Sequence, residues 1–250
     1  MAYQKSEIKL EGQIGDLVFY KQSNTYRART KGGVDAKRFA TDPKFERSRE
    51  NSREFGRASA MSKQIRLALH EVLPLFHEGT MQTRLNSRLR QIILGDAING
   101  RGDRGVQPES LPLFIGFSFN GGAAWKDVYY APFEREFNAV TGKLTASFAE
   151  HWAPAVLSPP KKASGVRFTV AAIAVDTEAG MCYGVHEHSP VLHTAGHLPQ
   201  QFFELDIEYP QLPVILLAGL AFFTEKGGYQ IPIEQPLGNA LDVVDVFVGT

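Results

Sequence analysis

The 250-residue chain holds one cysteine, Cys182, so neither an internal disulfide nor a cysteine-based zinc cage is open to it. It also lacks a long hydrophobic run. The longest, Val214 to Phe223, is about half of what spans a bilayer. Residues Met1 to Leu10 alternate polar and apolar, without the basic start, apolar stretch and small-residue cleavage site of a secretory leader. These absences lead to the expectation of a soluble cytoplasmic protein, or a component of a phage-like particle, with no membrane partner. Catalytic signatures are missing as well: there is no Gly-x-Ser-x-Gly elbow and no His-Glu-x-x-His helix. The glycine-rich stretch from Gly100 to Gly105 lacks the Gly-Lys-Ser/Thr ending of a phosphate-binding loop. Neither an enzyme nor a cofactor is expected.

What the chain does have is ample core material and a lopsided charge. Hydrophobic residues make up 43% of it, enough at this length to bury a large core without covalent staples. The net charge of zero conceals an asymmetry. Through Gly105 there are 20 Lys and Arg against 12 Asp and Glu, a balance of +8, and the remainder carries −8. Such halves call for an anionic partner for the first part, or for attraction between the two parts within or between subunits.

The first part has a strand rhythm broken by Gly12, Gly15 and the turn pair Ser23-Asn24, which predicts a small antiparallel meander. At Asp42-Pro43 a helix is predicted to begin, since Asp can cap exposed N–H groups and Pro has no donor to lose in the first turn. Phe55, Ala58, Ser62, Ile65, Leu69 and Val72 then recur at spacings of three and four, the spacing of one helix face. A second helix is expected from about Thr80 to Ile98, and a flexible linker from Asn99 to Gly105. Beyond it the period changes to two. Leu113–Phe119, Lys143–Phe148, Val166–Val175, Phe203–Tyr209, Val214–Phe223 and Leu241–Val248 are strand candidates, and Lys226-Gly227-Gly228 is a hairpin turn. The expected fold class is α+β: an N-terminal β-hairpin or meander and a two-helix segment, then an antiparallel β-sandwich of immunoglobulin-like or jelly-roll type. The expected domains are a basic one over residues 1–105 and an acidic sandwich over 106–250.

Several of these segments together carry a resemblance. Gly12-Gln13-Ile14-Gly15, Leu17-Val18-Phe19-Tyr20-Lys21, Lys31-Gly32-Gly33-Val34 and Asp42-Pro43-Lys44-Phe45 are followed by Arg47, Arg49, Glu50-Asn51 and Glu54-Phe55-Gly56-Arg57-Ala58. This signature resembles the N-terminus of an uncharacterised protein family of Bacteroidetes bacteria. The C-terminal half is similar in layout only, including Asn239-Ala240-Leu241 before a final strand. The resemblance implies one architecture over the whole chain and nothing about chemistry.

Two clusters are candidate binding sites. Arg49, Arg53 and Arg57 form a row four residues apart, and Arg27, Arg29, Lys37 and Arg38 precede them among Phe19, Tyr20 and Tyr26, a mixture that nucleic-acid surfaces use. Against this, Glu46, Glu50 and Glu54 each stand three residues before one of the arginines, a spacing that expects a self-paired helical face. The second cluster is His186, His188, His193 and His197. In a strand, His186 and His188 share a face, and imidazole suits zinc, copper or non-haem iron. Ser189-Pro190 and Ala195-Gly196 interrupt the segment, which favours a loop with scattered histidines. The Glu150-His151-Trp152 triplet is expected to end a strand with Trp152 on the core rather than to form a catalytic pair.

The expectation that follows is a non-enzymatic structural or interaction protein, a subunit of a homo-oligomeric or phage-like assembly whose opposite charges meet head to tail. Its partners are further copies of itself or other protein subunits. A nucleic-acid-binding module and a metal-binding β-domain are the alternatives.

Overall fold

Ser23-Asn24 folds the chain back on itself, with Ser23 in the left-handed region at φ 53°, and so joins β3 (Leu17–Gln22) to β4 (Thr25–Thr30). With β1 (Ala2–Tyr3) and β2 (Gly12–Ile14) these strands form an antiparallel sheet in the order β1-β4-β3-β2. The computed structural model from which this description is drawn covers residues 2–5, 7–76, 78–233 and 238–248. After the sheet comes α1 (Ala36–Thr41), capped by the Asp35 carboxylate, which accepts the Arg38 N–H at 3.1 Å. Asp42 next accepts the Lys44 N–H at 2.9 Å and caps a 3-10 turn over Pro43–Phe45, as the Asp-Pro pair predicts. None of the described residues of this stretch is buried.

The chain divides into two compact units, Met1–Arg49 and Glu50–Thr250. The boundary expected near Gly105 is therefore displaced by more than fifty residues. The reason lies in α2 (Glu46–Ala68) and α3 (Met81–Leu94), whose apolar faces are covered by the second unit's own sheet. Ala58, Met61 and Ile65 of α2, Leu85, Leu89 and Ile92 of α3, and Phe76 between the helices share one core with Ile173 and Leu217 of that sheet. Phe55, expected on this face, is 51% exposed, and Glu54 takes the inward position.

After α3 come α4 (Trp125–Val128), β5 (Glu134–Asn138), β6 (Lys143–Phe148), β7 (His151–Trp152) and α5 (Ala153–Val156). The strands that follow are β8 (Gly165–Asp176), β9 (Met181–His188), β10 (Leu192–His193), β11 (His197–Leu198), β12 (Gln201–Asp206), β13 (Val214–Lys226), β14 (Tyr229–Pro232) and β15 (Ala240–Phe247). β8 and β13 pair along ten residues at the centre of the main sheet; β9 and β10 flank β8, and β15 and β14 flank β13. Gly227 and Gly228, both at positive φ, make the expected turn between β13 and β14.

The two central strands of the main sheet, β8 and β13, are buried on both faces. Ala171, Ile173 and Val175 of β8 point to the helices, while Val170, Ala172 and Ala174 point to a second antiparallel sheet in the order β12-β6-β5. This burial explains why Val214–Phe223 reads as an unbroken apolar run, whereas Phe203, Leu205 and Ile207 alternate with exposed Glu204, Asp206 and Glu208. The fold is α+β, with a sandwich-like pair of sheets and helices on the outer side of the larger one. Leu113–Phe119 is not the expected strand. Pro108–Phe114 is a 3-10 turn, and of the expected strand only Ser118 forms a bridge, to Asp242. Among the described residues no helix is long and apolar enough to cross a membrane.

Candidate functional site

Strand alternation decides which basic residues of the first unit act together. Arg27 and Arg29 lie on one face of β4. Tyr3 and Tyr20 stand opposite Arg27 on the two neighbouring strands, and Val18 stands opposite Arg29. The Arg27 guanidinium lies 5.2 Å from the Tyr3 ring centroid and that of Arg29 lies 5.9 Å from the Tyr20 centroid, both within cation–π range. The other face carries Ile14, Leu17, Phe19 and Ala28. Tyr3 is 61% and Ile14 62% exposed.

The rest of the predicted arginine row has other work. Arg38 pairs with Asp42, one turn on, at 3.3 Å, and the neighbouring Lys37 is exposed. Arg49 donates to the carbonyls of Phe39 and Asp42 at 2.7 and 3.0 Å, fixing the turn after α1. Arg53 and Arg57 both donate to the Gly102 carbonyl, and Arg57 also to that of Arg104 at 2.6 Å. Between them the buried Glu54 accepts the Gly102 N–H at 2.8 Å, and Glu50 pairs with Arg101 at 3.1 Å. Two of the expected ion pairs, Glu50 with Arg53 and Glu54 with Arg57, thus give way to contacts with the 100–105 loop.

That loop is no flexible linker. Asp96, 5% exposed, accepts from the backbone N–H groups of Ile98, Asn99 and Gly105 and from the side chains of Asn99 and Gln107. Burial opposes its ionisation, but these donors outweigh it and hold the carboxyl far below the usual range. Gly102 sits at φ 89°, where a Cβ would come within 2.8 Å of Glu50 Cγ. At Gly102 the absence of a side chain permits this close approach, rather than supplying a linker's freedom.

The histidines do not converge. His186 and His188 share a face of β9, ring centroids 4.9 Å apart, as the spacing predicts. His193 lies on β10, and His197 on β11, 3.5 Å from Glu150. Among the described residues no three His, Cys, Asp or Glu side chains are grouped to hold a metal. The proposed four-histidine site is therefore corrected, since three separate strands carry its members. His186 instead faces Glu71 at 3.4 Å and His188 meets the Thr169 hydroxyl at 2.9 Å. Burial lowers the His188 pKa below 6.5, helped by the charges of His186 and Arg167 and opposed by Glu71. Burial likewise pushes the Cys182 thiol up to about 12, which leaves it unreactive. Trp152 is 60% exposed rather than on the core, because β7 pairs only with the two-residue β11 and Ala153 turns inward in its place.

Three features carry no sequence motif. A cleft of about 560 Å³ runs between α3 and the 116–124 segment. Arg84 closes one side of it, paired with Glu78 at 2.8 Å and donating to the Ser118 carbonyl at 2.7 Å. Hydrogen bonds from the Thr80 hydroxyl and N–H, then from Arg84, lower the Glu78 pKa to about 2. Beside the cleft, Asp242 is 6% exposed, and one of its oxygens accepts the Trp125 N–H at 2.9 Å. Burial raises its pKa.

The third feature is the outer face of the β12-β6-β5 sheet. Its register sets Glu134, Ser147 and Phe202 in one row, Glu136, Thr145 and Glu204 in the next, and Asn138, Lys143 and Asp206 in the third. Lys143 bonds Asp206 at 2.7 Å and Glu204 at 2.8 Å, which holds its ammonium protonated well beyond the usual range. Neither Glu134 nor Glu136 has an ion-pair partner among the described residues. Phe202 is 61% exposed on this acidic face. Compared with known proteins, the chain matches no family model and no curated sequence significantly.

Proposed function

We propose that the protein is a non-enzymatic structural subunit of a homo-oligomeric assembly, of the kind a phage-like particle uses, and that its first unit makes the contact. One observation carries this reading: the four-stranded sheet and the turns that follow it hold no buried side chain among the described residues. A sheet gains independent stability by burying one apolar face, and a unit of this size is marginal even with a core. Neither face of this sheet holds a buried side chain among the described residues: Ile14 and Leu17 stay exposed on one face and Tyr3 on the other. Eleven Lys and Arg against six Asp and Glu give the unit +5, so its partner carries acidic groups. The signature that resembles a Bacteroidetes family falls on this unit and the start of α2.

Sedimentation of the full chain tests the reading. A species whose mass grows with concentration and shrinks with added salt is expected. A monomer at every concentration and ionic strength overturns it.

A second reading rests on the Tyr3, Tyr20, Arg27 and Arg29 face, which combines stacking rings with cations in the manner of single-strand platforms. Retention on single-stranded DNA that weakens steeply with salt would favour it.

A further inference from the structure

We infer that the surface that receives the basic sheet is the outer face of the β12-β6-β5 sheet on a second copy of this chain. The inference rests on the assembly reading above and names its partner surface.

Charge comes first. Glu134, Glu136, Glu204 and Asp206 share one sheet face with a single cation, Lys143, which is already held by two of them. The face therefore keeps a net charge of −3. The Tyr3–Tyr20 face presents Arg27 and Arg29 without a carboxylate on the strands beside them.

Spacing agrees with charge. Residues two apart on a strand recur about every 7 Å, so Arg27 and Arg29 repeat at the interval of Glu134 and Glu136. Two sheets stacked face to face at about 10 Å would set the two pairs against each other. Phe202, 61% exposed and two strands from Glu134 in the same row, adds an apolar ring to the acidic face that the stacked sheet would cover. A contact from the basic sheet of one copy to the acidic face of the next is heterologous and repeats along a row of subunits. A nucleic acid would satisfy the arginines but leave the acidic face with Phe202 uncovered, which is why the second copy is preferred.

A charge swap on the full chain decides it, read by sedimentation at low salt. Arg27→Glu with Arg29→Glu, and separately Glu134→Lys with Glu136→Lys, should each weaken self-association roughly tenfold or more. An equimolar mixture of the two variants should restore association, because each then carries the surface that the other lacks; restoration also shows that both are folded. If the Glu134→Lys/Glu136→Lys chain associates like the native one while the arginine variant does not, the acidic face is not the receptor and this inference falls, with the assembly reading intact. If the mixture stays monomeric although both variants keep the native circular dichroism, the inference falls too. Association that appears only on adding single-stranded DNA overturns it in favour of the nucleic-acid reading. A native chain that never associates sinks both readings together.

Discussion

Gly184 on β9 passes directly against the backbone of Ala68 at the end of α2: a Cβ at Gly184 would overlap the Ala68 carbonyl oxygen and stand 2.8 Å from its carbon. Only a residue without a side chain allows the helix to lie this close to the sheet. The contact sets the separation between the layer of helices and β9.

Gly184→Ala should therefore destabilise the protein by about 1–3 kcal/mol, as an overpacked site does. Gly56→Ala, in the exposed middle of α2 where a Cβ meets nothing within 4 Å, should stabilise it by about 0.5–1 kcal/mol. Urea midpoints for the two variants should move in opposite directions; a Gly184→Ala midpoint equal to the native one would show that the helix can slide.

The clamp on the 100–105 loop makes a second prediction. Glu54→Ala removes the acceptor of the Gly102 N–H and should lower stability by about 1–3 kcal/mol through an unsatisfied buried donor. Trypsin should cut the variant at Arg101 and Arg104 well before it cuts the native chain. Equal cleavage rates would mean that Arg53 and Arg57 hold the loop unaided.

Asp242 is a buried carboxyl whose pKa is raised in the folded protein, so the folded form holds its proton more tightly than the unfolded form. Stability is then lost as pH rises from the ordinary value of 3.8 through the raised one. Asp242→Asn should be more stable than the native protein at pH 7 and equal to it below 3.8. A variant less stable at pH 7 would show that the fold holds the carboxylate rather than the neutral acid.

His188 carries the opposite dependence. Its folded pKa lies below 6.5, so the stability it contributes is complete above that value and is lost as pH falls through the lowered one. Thermal midpoints measured between about pH 8 and 5 should fall on the acid side. His188→Gln should flatten that limb, and an unchanged slope would place the titration on another group.

Much of this molecule could be read from residue order alone. Ser23-Asn24, Asp42-Pro43 and Gly227-Gly228 act through local backbone geometry, which is why the turns and the cap stand where the spacing predicts. The alternation of Phe203, Leu205 and Ile207 with acidic residues reports a strand covered on one face, and the helix periods report two amphipathic helices. At Glu54 and Phe55 the pattern misled, because a buried carboxylate is stable only where a distant loop supplies its donor, here the Gly102 N–H forty-eight residues on.

What the sequence determined by itself was local: turns, caps, periods and the separation of charge along the chain. Only the tertiary structure decided how the arginines are employed. Hydrogen bonds to the loop carbonyls engage Arg53 and Arg57, while the strand register leaves Arg27 and Arg29 together beside tyrosines. It also decided that the helices belong to the second unit rather than the first. Both outcomes depend on contacts between residues far apart in the chain, whose partners no short-range periodicity encodes.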